Sequence, residues 1–374
     1  MPIPHALSPE ILVNTTTVGS QAHADIAKLP NGGFVVIWQE PLHNSTYKVM
    51  ARICRADGQV TGNEFLIETV RQGGPDVTNA RVQALSDGKF VVTWHTPPTA
   101  VAQNPDVFAQ VFNADGSAFG NRLQVTTYAG FDYASSVTPL TNGAFAVTWS
   151  RDLGNGNGDV FGRIYAANGL AGAEFQLNTI AGEQQYITAL TTLSNGQFVA
   201  AWEDNRQNVS VIRGQIFNAD GSKSGAELLL SRSAMESARM LQQDASIAGL
   251  KNGNFVVTYV DKYGTGNAYA QVFNHSGANI GSEFQVNGPA ASSGAQPNVT
   301  ALDNGGFVIT WTTHSPSSDN DVYAQRFNAD GTKVGDEFLV HASVAGNQRM
   351  PNVTVLSSGN IVVGWSGKGP VCFL

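Results

Sequence analysis

The sequence alternates short polar turns with long runs of consecutive apolar residues. Residues 31–38, NGGFVVIW, are an Asn-Gly turn, Gly33 and then five apolar residues that end on Trp38. A strand with one wet face would alternate apolar and polar residues, so an unbroken apolar run predicts a strand covered on both faces. Closely related octapeptides recur at 87–94, 142–149, 195–202, 252–259, 304–311 and 358–365.

The spacing of these segments predicts the architecture. Their turn glycines lie 52 to 57 residues apart, close to the length of one four-stranded propeller blade. Each repeat has a first segment ending in Leu, the turn, the apolar strand and two further strands, as in YAQRFNADG and EFLV around Asp330. The Asn-Gly or Asp-Gly pair predicts a type I′ hairpin between the first two strands, because both residues tolerate positive φ.

We therefore predict an all-β fold, a single seven-bladed β-propeller with four-stranded blades that occupies residues 1–374 as one domain. The seventh repeat lacks a fourth strand, whereas residues 10–14, EILVN, match EFQLN at 174–178. The N-terminal strand, residues 9–15, is expected to pair with the C-terminal blade, residues 346–374, and so to close the ring.

Composition and charge exclude several function classes. Charged residues make up 13% of the chain and glycines number 40, a bias typical of turns and β-structure. The net charge of −8 offers no basic surface for a phosphate backbone, so we expect no nucleic-acid partner. No apolar run approaches the ~20 residues of a membrane span, so we expect no membrane insertion. The start, MPIPHALSPE, lacks the basic and apolar regions of a secretory signal peptide.

Residues that recur at one register are predicted to pack the blades together. Cys54 stands where other repeats have Phe112 or Phe217, which indicates a small core residue rather than a reactive thiol or half of a disulfide. Six of the seven repeats have a tryptophan at the end of the apolar strand, and the fifth repeat has Tyr259 at the same register. A ring of aromatic ligand sites, as in repeat lectins, is the alternative to packing between blades. The tryptophans at this register are Trp38, Trp94, Trp149, Trp202, Trp311 and Trp365.

Residues that do not recur are concentrated on one face. The connections between second and third strands differ in every repeat, from QEPLHNSTYK at 39–48 to TTHSPSSDN at 312–320, whereas the turns at the opposite end are nearly identical. Binding residues are concentrated on loops held by a rigid scaffold. We therefore expect function on this variable face, defined by the connections between second and third strands, or at the axial mouth beside it.

The first strand of each repeat brings a different residue to that mouth. A group of His, Asp and Arg side chains can bind an anionic or hydroxyl-rich ligand, or act as acid and base. The alternative is a solvated rim whose charges pair with one another. No nucleophile elbow, P-loop or dinucleotide fingerprint occurs, so catalytic residues stay unknown. The candidate ligand-binding residues are His23, Asp25, Arg81, His95, Asp132, Tyr133, Asp244 and Arg349.

Two patterns concern metal ions. The segment GNGNGDVF at 154–161 partly matches a calcium-binding nonapeptide, which needs stacked copies to form its sites. An acidic residue before the third strand, such as Asp106, can instead accept hydrogen bonds from loop backbone. We predict no required cofactor, with calcium as the ion that the sequence suggests. The weak candidates for calcium are Asp152, Asp159, Asp319 and Asp321. A separate candidate set for Zn²⁺ or Cu²⁺ is His23, His43 and His95 with Glu40 or Asp76.

Residues 321–340, DVYAQRFNADGTKVGDEFLV, followed by strands of the NGGFVITW type, resemble repeats of secreted bacterial proteins of the hemolysin-type calcium-binding (RTX-associated) group. The chain is more distantly similar to the propeller half of cyanobacterial alkylating enzymes that form cyclophane natural products. The first resemblance implies a bacterial extracellular or cell-surface protein, the alternative being a cytoplasmic one. Neither resemblance assigns an activity, and no catalytic residue is carried over.

The sequence favours a binding module that recognises carbohydrate or protein on its variable face. Loop diversity on one face and the lack of catalytic motifs support this interpretation, and whether the protein is an enzyme stays open. One alternative is an enzyme for small-molecule chemistry at the axial mouth, around His23, Asp25, Arg81 and Asp244. Another is a structural subunit of a larger assembly, and the oligomeric state is not predicted.

Overall fold

The computed structural model is composed of strands. Within the described ranges the chain forms 28 strands and a single 3-10 turn, Thr141–Gly143. None of the described residues forms a helix that is long and apolar enough to cross a membrane. The structure describes residues 10–15, 22–42, 46–71, 79–96, 105–154, 156–180, 184–206, 209–231, 242–261, 266–288, 294–313, 319–341, 346–367 and 369–373.

Six regular blades each contain four consecutive antiparallel strands. Blade 1 has β2 (Ala22–Lys28), β3 (Phe34–Leu42), β4 (Thr46–Cys54) and β5 (Val60–Arg71). Blade 2 has β6 (Arg81–Ala84), β7 (Phe90–His95), β8 (Val107–Phe112) and β9 (Ala118–Gln124). Blade 3 has β10 (Phe131–Pro139), β11 (Phe145–Gly154), β12 (Asn157–Tyr165) and β13 (Ala171–Gln176).

The other three regular blades follow the same order. Blade 4 has β14 (Gln184–Thr192), β15 (Phe198–Arg206), β16 (Val209–Phe217) and β17 (Lys223–Leu229). Blade 5 has β18 (Gln242–Gly249), β19 (Phe255–Asp261), β20 (Ala268–Phe273) and β21 (Asn279–Gln285). Blade 6 has β22 (Gly294–Ala301), β23 (Phe307–Thr313), β24 (Asp321–Phe327) and β25 (Lys333–Leu339).

A shorter, composite sheet joins the two ends of the chain. It contains β26 (Arg349–Val355), β27 (Ile361–Gly367), β28 (Gly369–Phe373) and β1 (Ile11–Leu12), in the order β26, β27, β28, β1. The outermost strand has two residues, with Ile11 opposite Phe373 and Leu12 opposite Cys372. The predicted seven four-stranded blades are therefore corrected to six regular blades plus this closing sheet, because within the described residues 10–15 only Ile11 and Leu12 are paired.

The first strands of all units pack side by side around one axis. Contacts run from β2 through β6, β10, β14, β18 and β22 to β26, which packs back against β2. This closed cycle of inner strands, with four-stranded sheets extending outward, confirms the β-propeller that the repeats predict.

The turn between the first two strands differs from its prediction. The Leu29 N–H donates to the Gly33 carbonyl at 2.8 Å, and the Gly32 N–H donates to the Leu29 carbonyl at 3.1 Å. Gly32 has a φ of 88°, whereas Asn31 is not among the residues with positive φ. The connection is a three-residue loop, in which a type I turn is followed by a left-handed glycine. The type I′ prediction is wrong for this turn because the strand pairing ends one residue earlier than that turn requires. In blade 3, by contrast, Asn142 (58°) and Gly143 (75°) both have positive φ, and the Ala144 N–H donates to the Thr141 carbonyl at 3.2 Å, as the prediction requires.

The apolar runs are buried on both faces, as predicted. Val35 and Ile37 of β3 pack against blade 2, while Val36 and Trp38 of the same strand pack against the closing sheet. The six tryptophans are at most 3% exposed, which agrees with a packing role. Cys54 is also buried, and burial raises the pKa of its thiol to about 12, so it stays protonated at neutral pH.

Candidate functional site

A left-handed bulge opens the first strand of almost every unit. The register between β2 and β3 shifts between Ala22 and Asp25, and comparable shifts occur in other units. A positive φ is strained for a residue other than glycine and commonly marks a functional site. The left-handed residues at this register, which include the predicted mouth residues His23 and Asp244, are His23 (54°), Asn79 (33°), Ala134 (51°), Asp244 (56°), Gln296 (53°) and Met350 (55°).

The inner strands enclose a polar cavity of 740 Å³ along the axis. Four side chains that can be charged lie in its wall near the bulges: His23, Arg81, Glu203 and Asp244. The first two belong to blades 1 and 2, and the last two belong to blades 4 and 5 on the opposite side of the ring. The mouth therefore has a cationic side and an anionic side.

Asp25 lines this cavity but acts as a connection between blades. Its carboxylate accepts hydrogen bonds from the Val82 N–H of blade 2 at 2.9 Å and from the Asn352 side chain of the closing sheet at 2.6 Å. It also accepts a bond from the Ile26 N–H at 3.0 Å. Burial raises the pKa of Asp25, while Arg81 and these hydrogen bonds act in the opposite direction.

The same register connects other neighbouring units. The Val299 N–H donates to Ser246 Oγ at 3.2 Å, which links blade 6 to blade 5. The Val353 N–H donates to Asn298 Oδ1 at 3.2 Å, which links the closing sheet to blade 6. Because the contact recurs, Asp25 helps to hold the ring together, and its role as a ligand residue stays a prediction.

Replacing Asp25 with asparagine is expected to lower the free energy of unfolding by about 1–3 kcal/mol. All three partners are donors, so the new NH₂ group must face a donor and leave one hydrogen bond unmade. Urea denaturation measures the loss. The matched control is Asp57→Asn, because exposed Asp57 accepts a local bond from Gln59 N–H at 3.1 Å and should change by less than about 0.5 kcal/mol. Equal effects of the two variants would contradict the assignment.

Arg81 supplies the positive charge on the cationic side of the mouth, where His23 also lies. Arg81 is exposed, and His23 is half-buried. Burial lowers the pKa of His23, and the charge of Arg81 lowers it further, so the imidazole is neutral at pH 7. A neutral imidazole can donate one hydrogen bond and accept another, which suits a ligand hydroxyl.

Glu203 and Asp244 form the anionic side. The Asp244 N–H donates to Glu203 Oε1 at 3.0 Å, so this carboxylate connects blade 4 to the left-handed bulge of blade 5. Glu203 was not among the predicted site residues. It directly follows the repeated Trp202, and its departure from the residues at that register in other repeats was the available signal.

Tyr133 contacts a second tyrosine that the sequence did not single out. The ring centroids of Tyr133 and Tyr186 lie 6.0 Å apart, and the rings are inclined by 52°. Both side chains are half-buried. Tyr186 lies directly opposite Glu203 in the pairing of β14 with β15, so the two tyrosines stand next to the anionic side of the mouth.

Asp132, adjacent to Tyr133, belongs to a buried ionic cluster. Arg151 Nε donates to Asp132 Oδ1 at 2.7 Å, and Arg151 Nη1 donates to Glu174 Oε1 at 2.7 Å. Asp132 is fully buried, and the Arg151 guanidinium also lies 4.4 Å from the centre of the Tyr128 ring. The geometry gives Asp132 a structural role, and ligand binding by Asp132 or Tyr133 stays a prediction.

The remaining ligand candidates lie away from the cavity wall. Arg349 is exposed at the start of β26, opposite Ser366. His95 is buried at the end of β7. His43 and Asp76 of the second metal set fall outside the described residues, and Glu40 lies 3.7 Å from the ammonium of Lys48.

The calcium candidates take part in local hydrogen bonds. Asp159 accepts a bond from the Asn178 side chain at 2.7 Å, and Asp321 lies 3.3 Å from His341 Nε2. Asp152 and Asp319 accept bonds from the backbone N–H groups of Gly154 and Gly346. Across the described ranges, no group of three or more His, Cys, Asp or Glu residues is arranged to hold a metal ion. Calcium binding stays a prediction.

Comparisons with known proteins support the fold. A protein of unknown function from Dyadobacter fermentans matches with a TM-score of 0.62 and 11% identity, over 98% of this chain and 96% of that chain. An ulvan lyase matches with a TM-score of 0.61 and 10% identity, over 97% and 94%. The NanB sialidase from Streptococcus pneumoniae matches with a TM-score of 0.53 and 10% identity, over 99% of this chain and 71% of that chain.

Sequence comparisons do not identify a family. No family model matches the chain, and no curated protein is significantly similar to it. The resemblance to RTX-associated repeats and to cyclophane-forming enzymes therefore stays a prediction. At about a tenth identity, the structural matches show that this chain shares the β-propeller fold of these proteins.

Proposed function

We propose that the protein is a binding module that recognises carbohydrate at the axial mouth of its variable face. The observation that carries this proposal is the 740 Å³ polar cavity, in whose wall His23, Arg81, Glu203 and Asp244 lie. This volume falls within the range of about 300–1,000 Å³ that is usual for small-ligand sites. The left-handed bulges hold His23 and Asp244 in place, so the site is formed before the ligand arrives.

The chemistry of the mouth suits a ligand with many hydroxyl groups. Carboxylates accept hydrogen bonds, a guanidinium donates them, and a neutral imidazole does both. The adjacent rings of Tyr133 and Tyr186 offer apolar surface with polar edges, which matches the mixed surface of a sugar. The fold supports a carbohydrate ligand rather than a protein ligand, because the matching propellers include an ulvan lyase and a sialidase.

A glycan array followed by titration calorimetry tests the proposal. We expect the wild-type protein to bind at least one class of oligosaccharide, and Glu203→Gln or Asp244→Asn to weaken that binding at least tenfold. The control is Leu170→Ala, because Leu170 is 71% exposed in a turn on the opposite face and should leave affinity unchanged.

Two results would overturn this proposal. The first is an array without any bound glycan. The second is release of new sugar ends by the wild-type protein that Glu203→Gln abolishes, because the mouth would then be the active site of an enzyme. Reducing-end assays on the bound oligosaccharide separate turnover from binding.

A further inference from the structure

Blades 3 and 4 carry aromatic residues at a register where the other units have none. The position just before the bulge is Tyr133 in blade 3, where Ala134 is left-handed, and Tyr186 in blade 4, where the register shifts between Ile187 and Ala189. Packing between blades does not require an aromatic ring there, since other units fold without one. The residues at this register elsewhere are Ala22, Thr78, Gln243, Ala295 and Arg349.

The two rings form a fixed cleft rather than a flat platform. Their planes are inclined by 52°, so one ring can offer its face and the other its edge to the same bound group. The Tyr186 hydroxyl donates to Gln184 Oε1 at 2.7 Å, which restrains this ring. Burial raises the pKa of Tyr186; a hydrogen bond with Tyr133 lowers it, and the charges of Asp152 and Glu203 raise it. The balance is upward, so the hydroxyl stays protonated at neutral pH.

The surroundings of the cleft are apolar on one side and acidic on the other. Phe131 is 43% exposed and lies opposite Asp152 in the pairing of β10 with β11. Glu203 lies opposite Tyr186. The nearby Arg151 is already bound to two carboxylates, so it adds no free positive charge.

We infer that this tyrosine cleft, formed by Tyr133 and Tyr186, is a stacking subsite that selects neutral or amino sugars and rejects acidic ones. The inference rests on the proposed function and defines its ligand class. The C–H face of a pyranose ring packs on an aromatic face, and the neighbouring carboxylates accept bonds from hydroxyl or ammonium groups. A ligand carboxylate placed beside Asp152 and Glu203 would be repelled.

Calorimetry with three probes tests this selectivity: cellohexaose as the neutral sugar, a chitosan hexamer as the amino sugar and hexagalacturonate as the acidic sugar. We expect the neutral or amino probe to bind at least tenfold more tightly than the acidic one. Tyr186→Ala should weaken that binding at least tenfold, whereas Tyr186→Phe should stay within threefold because the ring is kept. Phe119→Ala is the control, since this ring is 39% exposed on β9, away from the mouth.

A second variant keeps the inference testable if Tyr186→Ala does not fold. Asp152→Asn removes one charge, while its side-chain oxygen can still accept the Gly154 N–H bond. It should raise the affinity for hexagalacturonate at least threefold at low salt, and no gain in that affinity would contradict the repulsion.

The failure of this inference differs from the failure of the proposed function. If none of the three probes binds and the array is empty, the carbohydrate proposal fails, and the subsite fails with it. If hexagalacturonate binds most tightly and Arg81→Gln abolishes this binding while Tyr186→Ala does not, the protein recognises carbohydrate but the tyrosine cleft is not its selecting subsite.

Discussion

Replacing Arg151 with methionine is expected to lower the free energy of unfolding by about 3–5 kcal/mol, because it leaves Asp132 buried without its counter-charge. The guanidinium donates two bonds to Asp132, at 2.7 and 3.1 Å, and two to Glu174, at 2.7 and 3.0 Å. Asp132 is 0% exposed, so water cannot replace these bonds. Urea denaturation of both proteins measures the difference.

The matched control is Arg122→Met. Arg122 also pairs with a carboxylate, that of Glu68 at 2.5 Å, but its side chain is 53% exposed. Exposed ion pairs contribute up to about 1 kcal/mol, so this variant should lose no more than that. A double variant, Asp132→Leu with Arg151→Met, should recover part of the loss, because it leaves no buried charge at position 132. Equal losses for Arg151→Met and Arg122→Met would contradict the structural role of the cluster.

The loss should also depend on pH. Burial already raises the pKa of Asp132 above that of an unfolded chain, although Arg151 opposes this. Without Arg151 the upward shift of the Asp132 pKa is larger. A carboxyl whose folded pKa is raised stabilises the fold below its unfolded pKa, and that contribution is lost as pH rises through the folded pKa. The deficit of Arg151→Met should therefore be larger at pH 8 than at pH 5.

The second large effect is expected from Val13→Asp, which should destabilise the protein by on the order of 4 kcal/mol. Val13 directly follows the two-residue strand β1 and is 0% exposed. It lies in a core cluster with Trp38 of blade 1 and Leu356 of the closing sheet. Its carbonyl accepts a bond from Arg52 Nη1 at 2.7 Å. An unpaired carboxylate at this position would separate the two units that close the ring.

Val60→Asp is the control for that experiment. Val60 starts β5 and is 37% exposed, so a carboxylate there stays hydrated and should change stability by less than about 0.5 kcal/mol. Thermal unfolding followed by circular dichroism compares the variants. If Val13→Asp unfolds at the wild-type temperature, the closing sheet does not limit the stability of the ring.

The axial mouth shows which parts of the site could be predicted. His23 and Asp244 were found because they vary at a register that repeats, and the structure places both at left-handed bulges. Asp25 was found by the same reasoning but connects three units. Its partners, Val82 and Asn352, lie 57 and 327 residues away along the chain. A register identifies a position in the strand but does not reveal which donors a neighbouring blade presents to it.

Tyr186 and Glu203 were missed for a related reason. Each lies within a strand segment, and the available signal was its departure from the residues at the same register in other repeats. They belong to the candidate site because they lie opposite each other in the pairing of β14 with β15, and because Tyr133 of blade 3 contacts Tyr186 of the adjacent blade 4. Arg151 was missed because an arginine after a buried tryptophan indicates a solvent-exposed strand end, whereas two carboxylates make its burial favourable.

The sequence alone determined the β-propeller, its repeat length, its buried strands and the face where residues vary. It could do so because a strand that is buried on both faces consists of an unbroken apolar run, which is visible in the sequence itself. The tertiary structure alone decided the shape of the hairpins, the short closing sheet, the buried Asp132–Arg151–Glu174 cluster and the tyrosine cleft. These depend on distances between residues of different strands and blades, and such distances are fixed only when the ring closes.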